Sequence, residues 1–180
     1  MPNIEIRTAA KSEIMELALI SQNYETSHVW QMNRIMEDND VSINFRETRL
    51  PRSVKVEYPY PITQLEEEWD QAAIILEARI KEKVVAYLRI KDGVNKRIAW
   101  IVDLVVDVRH RRQGIGTSLE LAAYEWATKK NFDQIMLEMQ SKNYPAIQFC
   151  KKLGYEFCGY NDQYYANKDI VLLFARPVRN

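Results

Sequence analysis

Apolar and charged residues alternate at Ile4, Glu5, Ile6 and Arg7, the period-two pattern of a half-exposed strand. The period then changes. Ile14, Leu17, Ala18 and Leu19 recur at helical spacing behind Ser12, a residue type suited to capping a helix N-terminus. Val29, Met32, Ile35 and Met36 repeat that spacing and predict a second helix over 26–36, ended by the turn residues Glu37-Asp38-Asn39-Asp40. Strand-like segments follow at 41–49 and 54–58, separated by Pro51 and closed by Pro59 and Pro61. The acidic stretch 63–70 predicts a solvated loop. Residues 72–80 and 84–90 read as a hairpin around Lys81-Glu82-Lys83, and 97–107 as a long β-branched strand after the turn at Asp92-Gly93.

The C-terminal half alternates element types. A helix is predicted over 114–130, with Ile115, Leu119, Ala122 and Trp126 on its apolar face. A short buried strand at 133–139 follows. Ala146, Phe149, Cys150 and Leu153 mark one face of another helix, which Gly154 ends as a left-handed cap. The last strands are 155–160 and 170–175. No repeat or linker divides residues 1–180, so one domain is expected. Its class is α/β of the α+β type, with a mixed sheet.

Composition narrows the function. Of 180 residues, 47% are hydrophobic, ordinary for a chain that folds around one core. Lys plus Arg and Asp plus Glu stand at 25 each, so the chain lacks the basic excess of a nucleic-acid binder. No apolar run is long enough to cross a membrane, and the N-terminus lacks a signal-peptide block, which points to the cytoplasm. Two cysteines and two histidines predict neither a disulfide framework nor a histidine-based metal site.

Chemistry concentrates in Val105-Val106-Asp107-Val108-Arg109-His110-Arg111-Arg112-Gln113-Gly114-Ile115-Gly116, where a buried strand runs into a glycine-bearing turn that opens a helix. Free N–H groups and the helix dipole favour an anion there. Gly114 and Gly116 let a phosphate approach the backbone, and Arg111 and Arg112 add positive charge. The spacing is neither a Walker loop nor a dinucleotide fingerprint. The bland alternative is a charged surface turn before an ordinary helix.

Arg111-Arg112-Gln113-Gly114-Ile115-Gly116 resembles the pyrophosphate loop of the GNAT-type N-acetyltransferases. A second block, Leu137-Glu138-Met139-Gln140, Asn143, Ala146, Phe149-Cys150, Lys152 and Gly154-Tyr155, is similar to the family's downstream strand and helix. Together they cover residues 97–160. The tail with Tyr164-Tyr165 and Leu172-Leu173-Phe174, and the 54–58 region, look most like the streptothricin-acetyltransferase branch. The resemblance implies a twisted, mostly antiparallel sheet flanked by helices, with two splayed central strands. It implies direct transfer of an acetyl group from acetyl-CoA to a primary amine, without a metal. The implied cofactor-binding residues are Arg111, Arg112, Gln113, Gly114, Ile115, Gly116 and Thr117 in the loop. Val106 and Val108 would hold the pantetheine arm with Asn143, and a backbone N–H near 104–106 would polarise the thioester carbonyl.

Four residues are candidates for the chemistry itself. Cys150 stands where the family often has the tyrosine that protonates the leaving thiolate. A free cysteine on an apolar face is also commonly a small core residue. Tyr155 is then the alternative acid, as are Tyr144, the Tyr160, Tyr164 and Tyr165 group, and solvent. Asp103 and Glu138, each inside an apolar strand, are candidate bases for the incoming ammonium, cation-binding groups, or structural carboxylates. Two functions fit: an N-acetyltransferase acting on a small molecule or peptide amine, and a non-catalytic acyl-CoA-binding module on the same scaffold. Exposed sheet edges also suit a homodimer.

Overall fold

The computed structural model describes residues 3–61, 63–93 and 97–178. Strands β1 (Ile4–Thr8), β4 (Ile74–Ile80), β5 (Lys83–Asp92), β6 (Ile98–Val106), β7 (Gln134–Gln140), β8 (Glu156–Asn161) and β9 (Val171–Pro177) form one sheet. Their spatial order is β1-β4-β5-β6-β7-β9-β8. Helices α3 (Ile115–Lys129) and α4 (Tyr144–Lys152) share a core with Ala86, Leu88, Ile101, Leu137 and Phe174. The short helices α1 (Ile14–Ala18) and α2 (Gln64–Glu67) lie over a second cluster containing Leu17, Leu65, Ile75, Tyr87 and Val105. This is the expected α+β architecture.

All pairings in the sheet are antiparallel except β6 with β7. Those two pair only from Ile98↔Gln134 to Ile101↔Leu137. Beyond, β6 stays on β5 as far as Ala86↔Val106, while β7 stays on β9 as far as Gln140↔Val171. The central strands therefore part, as expected. Arg89 pairs with Asp103 but Ile90 with Ile101, which leaves Val102 as an extra residue at the parting point.

The helix predicted over 26–36 is instead strand β2 (Tyr24–Glu37), paired along its length with β3 (Asp40–Val56) in a separate two-stranded arm. Thr26, His28, Trp30 and Met32 also fit a period of two, and β-branched and aromatic residues suit a strand once a partner is available. Trp30 packs on Phe157 and Phe174, with ring centroids 5.9 and 5.6 Å away. Asp38, at φ 37°, begins the two-residue turn between paired Glu37 and Asp40.

Pro51 does not separate two strands. It lies within β3 where the register jumps from Thr26↔Val54 to His28↔Arg49, so its missing N–H removes no ladder bond. Nor is 63–70 only a solvated loop: Leu65 is buried and Glu68 meets Arg89 and Lys91. In α3 the buried positions are Ile115, Leu119, Glu120, Ala123 and Ala127, with Ala122 and Trp126 only partly covered. Ser12 caps nothing; the Glu13 carboxylate accepts the Ala10 N–H at 2.7 Å instead.

Candidate active site

The parting strands open into a cleft of about 560 Å³, with the β6–α3 loop at its mouth. Arg112 (φ 63°) and Gly114 (φ 88°) both take left-handed conformations to turn the chain into α3. The first N–H groups of α3 precede any intrahelical acceptor and carry the positive end of the dipole. Ile115, Gly116 and Thr117, which bear them, line the cleft. A Cβ on Gly116 would stand 3.6 Å from the Phe149 ring and 3.8 Å from Val106, in ordinary contact.

Arg111 has a different part from the one its charge suggests. Its Nε donates to the Val106 carbonyl at 2.8 Å, and its Nη2 to the Asn23 and Ser21 carbonyls at 2.8 and 3.3 Å. One guanidinium thus ties the loop to the end of β6 and to the segment before β2. Burial pushes its pKa down, with Asp107 opposing. Asp107 itself is held well below the usual carboxylate range by hydrogen bonds from Arg109.

Of the predicted cofactor residues, Val106, Arg111, Arg112, Gly114, Ile115, Gly116, Thr117 and Asn143 line the cleft. Val108 and Gln113 do not; Val108 is 61% exposed, and the Gln113 amide donates to the Arg109 carbonyl at 3.1 Å. Asn143 caps α4, its Oδ1 accepting the Ala146 N–H at 3.2 Å, and so faces the cleft while closing a helix. A helix N-terminus with free N–H groups at one end and Leu104, Ala146 and Phe149 along the wall suit an elongated thioester with a phosphorylated tail.

The catalytic candidates separate. Asp103 is 4% exposed and both its oxygens are taken, one by Arg89 Nε at 2.5 Å and the other by the Tyr58 hydroxyl. Glu138 is 9% exposed but lines the cleft. Its oxygens accept the Tyr60 and Tyr164 hydroxyls at 2.6 and 2.9 Å. Burial pushes its pKa up, against those two hydrogen bonds. Tyr60 and Val102 line both the cleft and a second cavity of about 420 Å³, walled further by Glu68, Asp92, Trp100 and Tyr164.

Cys150 and Tyr155 face the other way. Cys150 is fully buried beneath α4, absent from the cleft wall, and burial pushes its thiol up. Tyr155 is 3% exposed and donates to Glu120 Oε1 at 2.6 Å, beside Arg176. Both are core residues: Cys150 joins Ile147 on the side of α4 that packs on the sheet, with Tyr155 in the same cluster, while Ala146 and Phe149 of that helix line the cleft.

Tyr24, Tyr58 and Tyr60 line the cleft although sequence reasoning gave them no role. Tyr58-Pro59-Tyr60-Pro61 was the available signal: two tyrosines alternating with two prolines, in a segment that cannot extend a sheet. Tyr24 could not have been found, since it sat before the supposed helix. Its hydroxyl donates to Gln140 Oε1 at 2.8 Å.

The model of the acetyltransferase (GNAT) family matches residues 42–155, which include β6, the loop, α3, β7 and α4. The chain belongs to that family. It is an acetyl-CoA-dependent N-acetyltransferase. The GNAT chain is 30% identical over 158 residues to an N-alpha-acetyltransferase of Sulfurisphaera tokodaii, covering 81% of this chain and 91% of that one. Among solved structures it resembles nourseothricin acetyltransferase, with a TM-score of 0.82 at 18% identity over 98% and 99% of the two chains. A streptothricin-acetyltransferase-like protein of Bacillus anthracis, solved with acetyl coenzyme A, gives 0.77 at 21% identity over 97% and 99%. These two likenesses bear out the fold. Among the described residues no helix is long and apolar enough to cross a membrane.

Proposed function

We propose that this acetyltransferase acts on a small cationic amine, which enters through the second cavity and meets acetyl-CoA at Glu138. The observation behind this reading is the wall that the two cavities share at Tyr60 and Val102, with Glu138 bonded to Tyr60. Four carboxylates, Glu68, Asp92, Asp103 and Glu138, surround that region against the cations Arg89 and Lys91. The rings of Tyr60, Trp100 and Tyr164 add faces that attract an ammonium group.

In this reading the α3 N-terminus and Asn143 seat the donor, and Arg111 holds the loop in place. Backbone N–H groups of β6, freed where β7 departs, face the thioester carbonyl. Glu138 takes the proton of the arriving ammonium; its raised pKa suits that task better than the Arg89-paired Asp103. A second reading, an acceptor that is a peptide amino terminus, is favoured by the Sulfurisphaera tokodaii relative. Both cysteines are unpaired, which suits a reducing cytoplasm.

The test is CoA release from acetyl-CoA with a panel of diamines, polyamines, amino-sugar antibiotics and short peptides. Polycationic small amines should give the highest kcat/KM. A preference for peptides would establish the second reading. Acetyl-CoA at ~100 times its Kd should also stabilise the protein by about 2.7 kcal/mol.

A further inference from the structure

The second cavity is walled by Gln64 of α2 and by Trp100 and Val102, which share one face of β6. Two polar atoms of that wall are left over. Gln64 Oε1 and Trp100 Nε1 are buried, and neither has a hydrogen-bond partner among the described residues. Their neighbours are paired. The Gln64 amide donates from Nε2 to Glu68 Oε1 at 3.1 Å, and Glu68 Oε2 accepts from Arg89 and Lys91 at 2.7 and 2.5 Å. Lys91 is in turn the cross-strand partner of Trp100, so the two leftover atoms belong to one side of the cavity.

Buried polar groups are normally hydrogen-bonded, and each one left unpaired costs stability. A leftover acceptor and a leftover donor on one cavity wall point to a ligand that brings the complement of both. Gln64 Oε1 only accepts and Trp100 Nε1 only donates. An ammonium group could serve the first but not the second, and a carboxylate the second but not the first. A neutral carboxamide serves both. The last torsion of each side chain is broad, so each can turn towards such a group at small cost. We propose that Gln64 and Trp100 are specificity-determining residues that read a neutral carboxamide on the acceptor, away from the amine that reacts. The acceptor class is then a primary amine that also carries a carboxamide. The proposal rests on the reading that the acceptor enters through this cavity.

The test compares three acceptors of one chain length with acetyl-CoA as donor: 5-aminopentanamide, pentylamine and 5-aminopentanoate. In the parent the amide should exceed the other two in kcat/KM by about 10-fold or more, since a site built to hydrogen-bond rejects analogues that leave it unpaired. Trp100→Phe removes the N–H and keeps an aromatic ring, and Gln64→Met removes the carbonyl at similar length. In each variant the ratio of amide to pentylamine kcat/KM should fall towards one, and that ratio does not depend on the folded fraction. Equal values for the amide and pentylamine in the parent would overturn the assignment. So would variants that lower all three acceptors alike, the result expected if Gln64 only supports Glu68 and Trp100 only packs. A preference for 5-aminopentanoate would overturn it and give the cavity to Arg89 and Lys91. Turnover of other amines in the panel but of none of these three would overturn it as well. The short peptides of the panel separate a small carboxamide from a peptide bond: the source is the one with the higher kcat/KM in the parent and the larger loss in Trp100→Phe. No turnover by the parent with any amine would overturn the underlying reading and this proposal with it.

Discussion

Arg89 and Asp103 face each other at paired positions of β5 and β6, next to the bulge at Val102, with Nε donating to Oδ2 at 2.5 Å. Both side chains are under 5% exposed. Asp103→Asn strips the charge that balances a buried guanidinium, and breaking such a pair costs about 3 kcal/mol or more. Chemical denaturation should show that loss, with any fall in activity following the folded fraction.

Glu138→Gln should behave in the opposite way. Burial holds the Glu138 carboxyl above its ordinary value, so folding favours its protonated form. That contribution is present at low pH and lost as pH rises through the raised pKa, so removing the charge should not lower the melting temperature at pH 7. The kcat should fall, by about 10²-fold if Glu138 is the base. The acid limb of the parent's kcat/KM profile, set by a carboxylate above the usual range, should disappear.

Glu68 supplies an acid-sensitive clamp beside the second cavity. Burial pushes its carboxyl up, but hydrogen bonds from Lys91, Gln64 and Arg89 outweigh this and bring it from 4.5 to about 2. Its contribution is therefore present above pH ~4.5 and lost as pH falls towards ~2. Glu68→Gln should flatten the acid side of the stability–pH curve by about 1–2 kcal/mol, discounted for partial exposure. Melting curves from pH 3 to 7 measure this.

The two loop glycines should respond differently to alanine. Gly114 sits at φ 88°, where an L side chain is strained although the space is open. Gly114→Ala should cost about 1 kcal/mol and raise the KM for acetyl-CoA. At Gly116 a methyl group makes ordinary contact with Phe149, so Gly116→Ala should be the milder change in both stability and KM.

Arg111→Lys should not preserve the loop. One guanidinium reaches Val106, Asn23 and Ser21 from two nitrogens, a spread that a single ammonium cannot match. The KM for acetyl-CoA should rise nearly as much with lysine as with alanine. A lysine variant close to the parent would show that the site needs charge rather than geometry.

The turn between β6 and α3 and its flanking elements were legible along the chain because each of those parts is local. The β-branched run of β6, the glycines of the turn and the apolar period of α3 and α4 each act within one element or between neighbours. The choice between Asp103 and Glu138 was not legible, since each is a carboxylate in an apolar strand. Arg89, Tyr58, Tyr60 and Tyr164 distinguish them, and they come from different parts of the fold. The arm was misread because Val29, Met32 and Ile35 satisfy helical spacing, whereas pairing with β3 and packing on Phe157 and Phe174 made it a strand. Cys150 and Tyr155 had suitable chemistry, but the packing of α4 and β8 turned them into the core. By itself the sequence determined the glycine-bearing turn and the helices around it, because backbone geometry and periodicity are short-range. The tertiary structure decided which side chains meet in the cleft, because the packing of sheet, arm and loops brings Tyr24, Tyr60, Glu138 and Tyr165 together from four separate stretches of chain.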